Sequence, residues 1–175
     1  MPHRVLTPSF FARECPEVSA DLIGKWLCRR LEDGRILRLQ ITETEAYCGE
    51  SDTACHAHRG RTRRTEVLYG PAGVLYVYLC YGIHWMLNIV TGEPEHPQAV
   101  LIRACRDAQG PGRLTKALSL TGEFDRMKLS DDTAPLWLED DGLSYACTSA
   151  PRVGIAYASP EDQARNWRFI LRETR

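Results

Sequence analysis

Leu37-Arg38-Leu39-Gln40-Ile41-Thr42-Glu43-Thr44-Glu45-Ala46-Tyr47 reads as one extended strand, and its pattern decides what kind of fold the chain builds. With a period of two, Leu37, Leu39, Ile41, Glu43, Glu45 and Tyr47 share one face, and Arg38, Gln40, Thr42 and Thr44 share the other. The face that begins apolar therefore carries Glu45 toward the core. An ionised carboxylate removed from water is costly unless it is paired, hydrogen-bonded or protonated, so its placement there points to a use. A structural pairing with an arginine, or a bulge that returns the side chain to solvent, would account for the same pattern.

Upstream, an apolar run to Leu31 meets Asp33-Gly34, a hairpin turn signal that makes this strand one arm of an antiparallel pair. Thr7-Pro8 and Cys15-Pro16 place proline at first helical positions, so the chain is expected to open with helices. Downstream, residues 48–70 are polar, arginine-rich and aperiodic, which predicts a long surface loop starting directly after Glu45 and Tyr47. Val74 to Cys80 and Trp85 to Val90 are β-branched and aromatic, and the short Tyr81-Gly82-Ile83 between them puts Tyr81 near the tip of a β-hairpin. Asn88 and Arg103 each interrupt an apolar strand and need buried partners or a ligand. Gly110-Pro111-Gly112 opens a short helix that Gly122 stops, and Leu136-Trp137-Leu138 reads as a strand. Ser159-Pro160-Glu161-Asp162 starts another helix, and Trp167 to Leu171 forms a last strand. No repeat or linker divides the 175 residues, so the expectation is a single α+β domain over 1–175, built on a mostly antiparallel sheet with flanking helices.

Hydrophobic residues make up 43% of the chain and charged residues 26%, which argues against disorder. No apolar run approaches the ~18 residues of a membrane span, so no membrane association is expected. Residues 1–8 lack a secretory signal pattern, and a cytoplasmic protein follows, nucleoid-associated if bacterial. The seven cysteines, at 15, 28, 48, 55, 80, 105 and 147, contain no C-x-x-C pair and are expected as reduced thiols packed like small apolar side chains. Cys48, Cys55, His56 and His58 match no usual zinc spacing, so no metal site is expected. A net charge of −1 gives no global pull toward a polyanion. Locally, Arg59, Arg61, Arg63 and Arg64 crowd one loop, and Arg165, Arg168, Arg172 and Arg175 crowd the C-terminal end; either patch could meet phosphates or be a solvated surface.

The motifs Glu43-Thr44-Glu45-Ala46-Tyr47, Ala54-Cys55-His56, Gly73-Val74-Leu75-Tyr76-Val77-Tyr78 with Tyr81-Gly82, Leu87-Asn88-Ile89-Val90 and Leu101-Ile102-Arg103-Ala104 follow one another in a specific order. The combination resembles the alkyladenine (3-methyladenine) DNA glycosylase family, in register from about Leu6 to Arg172. Gly110 to Leu118 and Pro151-Arg152-Val153-Gly154-Ile155 look like the family's helix-start and late-strand motifs. The resemblance implies a curved sheet with a protruding, DNA-intercalating hairpin, and base excision repair of double-stranded DNA containing a damaged purine. The purine would be rotated out of the stack and its N-glycosidic bond hydrolysed, by a monomer without cofactor. By correspondence, Glu45 is the general base, and Arg103 and the carbonyl of Val153 position its water. Tyr47, His56 and Tyr78 enclose the base, Asn88 opposes a guanine-type amino group, and Tyr81 fills the gap in the duplex. Arg61 and Arg64 meet the DNA backbone. Tyr76 reads as packing rather than pocket. Where the family loop reads R-G-R-T-P-R-N, this chain has Arg59-Gly60-Arg61-Thr62-Arg63-Arg64-Thr65, which bears on loop rigidity and phosphate contacts.

A strand-cleaving glycosylase needs an amine nucleophile, and Lys25, Lys116 and Lys128 all lie outside these motifs, so a monofunctional enzyme is expected. Two other classes fit parts of the pattern. Glu43 and Glu45 could form the carboxylate pair of a sugar hydrolase. A nucleic-acid-binding module without catalysis would keep Tyr81 and the arginines but have no need of Glu45.

Overall fold

The computed structural model describes residues 3–172, and Arg175 lies outside the described residues. The chain enters through a two-residue strand, β1 (Arg4–Val5), before the helices that the prolines announce. Pro8 opens α1 (Pro8–Phe11), and Pro16 sits in the first turn of α2 (Cys15–Asp21), where a missing N–H leaves no bond unmade. β2 (Trp26–Arg30) and β3 (Ile36–Tyr47) form the hairpin pair that Asp33-Gly34 predicts. β4 (Leu75–Cys80) and β5 (His84–Thr91) pair across Tyr81-Gly82-Ile83. β6 (Gln98–Cys105), β7 (Ala108–Gln109) and α3 (Pro111–Ala117) follow. β8 (Leu136–Asp140), β9 (Cys147–Ala150), α4 (Pro160–Ala164) and β10 (Arg168–Leu171) complete the order.

Among the described residues every strand pairing is antiparallel, and the sheet runs β1-β8-β2-β3-β6-β5-β4, with β10 beside β3 and β9 beside β10. β3 is the axis of the molecule. Its first half pairs with β2, while its second half lies between β6 and β10.

The strict alternation expected along β3 fails at one point. The β3–β6 register shifts between Ile41 and Glu43 and again between Glu43 and Thr44, an irregularity of the kind a bulge makes. Before it, Leu37, Leu39 and Ile41 face the main core. Beyond it, Ala46 joins that core, and the buried Thr44 hydroxyl meets Ser19 of α2. Parity is thereby exchanged, and Glu43, Glu45 and Tyr47 project from the face opposite Ile41.

The main core is aliphatic, with Leu22, Leu27, Ile41, Leu75, Ile89 and Ile102 fully or almost fully buried. A second apolar cluster forms on the other side of the sheet, where Cys55, Ala57, Val67, Leu68 and Tyr69 pack against Val74, Tyr76, Val90 and Ala99. The segment after β3 is therefore not the surface loop expected. Its apolar residues are too widely spaced to show a period, yet two 3₁₀ turns, His56–Arg59 and Glu66–Tyr69, gather them under a polar exterior.

Three further expectations need correction. Cys15 and Cys48 are joined as a disulfide rather than held as free thiols, because α2 starts against the end of β3 with the two Cα atoms 6.3 Å apart, within disulfide range. Residues 151–155 form a loop, and the strand of that region is β9, which ends at Ala150 just before Pro151. α3 stops at Ala117, and Gly122 instead begins a 3₁₀ turn. Among the described residues, no helix is long and apolar enough to cross a membrane.

Candidate active site

Glu45 is fully buried, and the parity exchange in β3 aims it away from the aliphatic core. Its Oε1 accepts a hydrogen bond from the Val153 N–H at 2.8 Å, and its Oε2 accepts one from the Tyr47 hydroxyl at 2.8 Å. Arg103 Nε stands 3.8 Å from the same Oε1 and 3.1 Å from Glu43 Oε1. Arg168 of β10 reaches Glu43 at 3.0 Å. The two carboxylates are thus held differently. Glu43 sits between two guanidiniums, while Glu45 is held by neutral donors with one cation slightly farther off. Such a site keeps a carboxylate out of bulk water without leaving it unpaired. Val153 reaches Glu45 through its N–H.

Beside Glu45, the residues Tyr47, His56, Tyr76, Tyr78, Asn88 and Tyr157 line a recess of about 40 Å³. In front of it opens a groove of about 1000 Å³ that takes in Glu45, Arg103, Val153, Arg64 and Tyr81 and shares Tyr47, His56 and Tyr78 with the recess. The lining that the two share makes the recess continuous with the groove. The His56 and Tyr78 rings lie 4.7 Å apart and tilted, and His56 Nδ1 is 2.8 Å from the Tyr76 hydroxyl. Burial, reinforced by the charge of Arg64, lowers the His56 pKa to about 4, so the ring is neutral at neutral pH. Burial raises Tyr76 to about 12, and burial together with Glu45 raises Tyr47 well above its ordinary value, so both stay protonated donors. Asn88 is buried, and its amide nitrogen donates to the Tyr76 carbonyl at 3.1 Å and the Met86 carbonyl at 3.4 Å, which leaves its amide oxygen as the group available to a ligand.

Tyr81 stands in the turn between β4 and β5 with φ of 51° and is 90% exposed, beside an exposed Ile83. A large aromatic gains nothing from folding there. The two arginines expected at a phosphate backbone are separated. Arg64 covers the Tyr78 ring at 5.0 Å on the groove, whereas Arg61 covers Tyr69 at 4.4 Å and pairs with Glu95, outside the groove lining. Their loop is tied by Thr65, buried, whose hydroxyl donates to the Gly60 carbonyl at 3.0 Å and accepts from the Thr62 N–H at 2.8 Å. The four side chains with metal-ligand chemistry are dispersed: Cys48 bonds Cys15, and His58 Nδ1 turns to the Glu50 carbonyl at 2.7 Å.

Several residues of the site escaped the sequence reading. Tyr76 fixes the His56 ring rather than merely packing, and its signal was its place on the same strand face as Tyr78, two residues on. Tyr157 lines both recess and groove, with its hydroxyl donating to the Ala54 carbonyl at 2.8 Å. Arg152 and Asp52 form a buried bidentate pair at 2.6 and 2.9 Å behind Tyr47, and a hundred residues of separation left no local sign of it.

The sequence profile of the family described as Methylpurine-DNA glycosylase (MPG) matches residues 9–108 and 106–175. A protein of Psychrobacter cryohalolentis named "Putative 3-methyladenine DNA glycosylase" is 45% identical over 93% of this chain and 89% of its own length. Proteins of the same name from Nitrosococcus oceani and Methanocella arvoryzae are 43% and 40% identical, over 95% and 94% of this chain and 90% and 91% of their own lengths.

Proposed function

This chain belongs to the methylpurine-DNA glycosylase family, and we infer from that membership and from the groove at Glu45 that it releases alkylated purines from double-stranded DNA by hydrolysing the N-glycosidic bond. The observation that carries the reading is a fully buried carboxylate, hydrogen-bonded on both oxygens, at the edge of an aromatic groove that a hairpin-tip tyrosine shares.

In the proposed reaction the damaged nucleotide leaves the stack and enters the groove, while Tyr81 takes the space it vacates. Flipping costs least where pairing is already weakened, which favours damaged sites. Tyr47, His56 and Tyr78 close on the base, and the neutral His56, fixed at Nδ1 by Tyr76, offers Nε2 to the base edge. Asn88, buried and fixed by its two backbone hydrogen bonds, rejects normal guanine by a clashing contact with its amino group. Glu45 takes a proton from water as that water attacks the sugar carbon, and its charge also stabilises the oxocarbenium character developing there. Arg103 and the carbonyl of Val153 position the water. Arg64, at the groove, and Arg61, once released from Glu95, meet phosphates. The bond is cleaved by activated water alone, so the product is an abasic strand left intact. Hydrolysis of this kind calls for neither metal nor organic cofactor. One domain suffices for it, acting as a monomer wherever the cell keeps its DNA.

The sugar-hydrolase alternative asks Glu43 and Glu45 to face each other across a substrate, but Glu43 is taken up by Arg103 and Arg168. The test is single-turnover base release, with enzyme in excess, from duplexes carrying hypoxanthine, 3-methyladenine or 7-methylguanine. The native protein is expected to release at least one of them, and Glu45→Gln to bind the same duplex with release slowed by about a thousandfold, a typical loss for an essential base. Equal rates for the two proteins would remove Glu45 from the chemistry, and no release across the panel would sink the glycosylase reading.

A further inference from the structure

Behind Tyr47 runs a column of alternating rings and guanidiniums. Arg152 lies 4.9 Å from the Tyr47 ring and 5.0 Å from the Trp167 ring, and Arg165 covers Trp167 at 4.8 Å. The Arg152 side chain is wholly buried and lines neither recess nor groove, so the Tyr47 ring stands between it and a bound base. Each cation of the column has its own counter-charge. Asp52, 1% exposed, clasps Arg152 through both oxygens, and Glu161 and Asp162 hold Arg165 at 2.9 and 3.0 Å.

An aromatic face attracts a cation through its quadrupole. A bare guanidinium behind the ring would oppose a second cation in front of it, and in a water-poor site that opposition is weakly screened. A carboxylate clasped to the guanidinium cancels most of the effect. We propose that Asp52 is a specificity-determining residue: by neutralising Arg152 behind Tyr47, it keeps the groove face of that ring open to purines that carry a formal positive charge, as N7-alkylated guanine does. Arg152 supports the ring in either case, and neither residue touches the base. The inference rests on the reading above, in which Tyr47 stacks on the flipped base.

The test uses the Glu45→Gln protein, so that binding is measured without turnover, and three duplexes that differ at one position: guanine, 7-methylguanine or hypoxanthine. Asp52→Asn is expected to weaken binding of the 7-methylguanine duplex about tenfold relative to the hypoxanthine duplex, because it leaves Arg152 uncompensated. Arg152→Gln leaves the carboxylate uncompensated, and the same ratio is expected to move a few-fold the other way. The double variant, a neutral hydrogen-bonding pair, is expected to return it to the starting value. Affinities are referred to the fraction of molecules that bind, so a loss of folded protein does not enter the ratio. If Asp52→Asn does not fold, the shift in Arg152→Gln and its reversal in the double variant carry the test. A merely structural pair would weaken both damaged duplexes in the same proportion in every variant, and that result overturns the proposal. If the Glu45→Gln parent binds neither lesion more tightly than guanine, the base-groove reading itself fails and this inference falls with it.

Discussion

The two halves of β3 belong to one continuous strand and are buried by different chemistry. Leu37, Leu39 and Ile41 pack on the aliphatic core, where one side chain of suitable volume serves much like another. Glu43, Glu45 and Tyr47 lie past the register shift on the opposite face, and there each side chain has partners that no isostere reproduces: two guanidiniums, a backbone N–H and a hydroxyl, and the cation of Arg152. The irregularity lets a single strand face a packed core and a polar groove without asking any residue to serve both. The difference, sharpest between the fully buried Ile41 and Glu45, teaches that burial has two meanings in this chain. In the first half it is a source of stability, and in the second it is a condition imposed on charge.

The comparison breaks or holds on what substitutions in each half disturb. Glu45→Gln carries the largest expected effect, with the loss of base release given above corresponding to roughly 4 kcal/mol of transition-state stabilisation. Ile41→Ala, only four positions away on the same strand, is expected to leave the rate per folded molecule unchanged and to lower the unfolding free energy by about 2–5 kcal/mol, the usual loss for a fully buried aliphatic side chain. Denaturant unfolding and single-turnover release on the two variants give both quantities. A slow Ile41→Ala of native stability would show that the two halves are not separate.

Much of this division was legible in the sequence, and the part that was not has a physical cause. The Asp33-Gly34 hairpin, the Tyr81 turn, the Ser159 cap of α4 and the last strand were readable because each depends on residues within a few positions. The burial of Glu45 was also readable, though strict alternation placed it on the same face as Ile41. Alternation carries no sign of an irregularity that shows only in the pairing with β6, some sixty residues away. Contacts over longer separations were silent for the same reason, as with Cys15 and Cys48 or Asp52 and Arg152. The register of the motifs singled out Tyr47, His56 and Tyr78, and periodicity alone would not have distinguished them from Tyr69, which packs in the second apolar cluster.

The hairpin sharpens the comparison from outside, since Tyr81 belongs to neither kind of burial. An exposed ring contributes nothing to the folded state, so Tyr81→Ala is expected to leave unfolding within about 0.5 kcal/mol of native. Its effect is expected in release from well-paired duplex, slowed about ten- to a hundredfold, with little change on single strands that need no wedge. Equal losses on both substrates would refute that role.

The smallest expected effect concerns pH, and it separates the two sides of the sheet once more. The titratable group opposite Ile41 is the Cys105 thiol, which burial pushes up and keeps neutral across this range, so the stability loss of Ile41→Ala should be the same at pH 7 and pH 4.5. His56 is different: its folded pKa of about 4 lies below the ordinary 6.5. As pH falls through 6.5, the unfolded chain takes up this proton before the folded protein does, so folding is penalised progressively down to about pH 4 and no further. Partial exposure of the ring discounts the effect, which leaves on the order of 2 kcal/mol from this one side chain. His56→Gln removes this penalty, and its unfolding free energy should therefore fall less than the native value between pH 7 and pH 4.5. Parallel losses would mean that the ring is not held neutral, and a base-edge contact relying on a neutral imidazole would have to be abandoned. If the penalty is present, the rate of base release should show no inflection near pH 6.5 traceable to His56, because the residue does not change its charge there while folded.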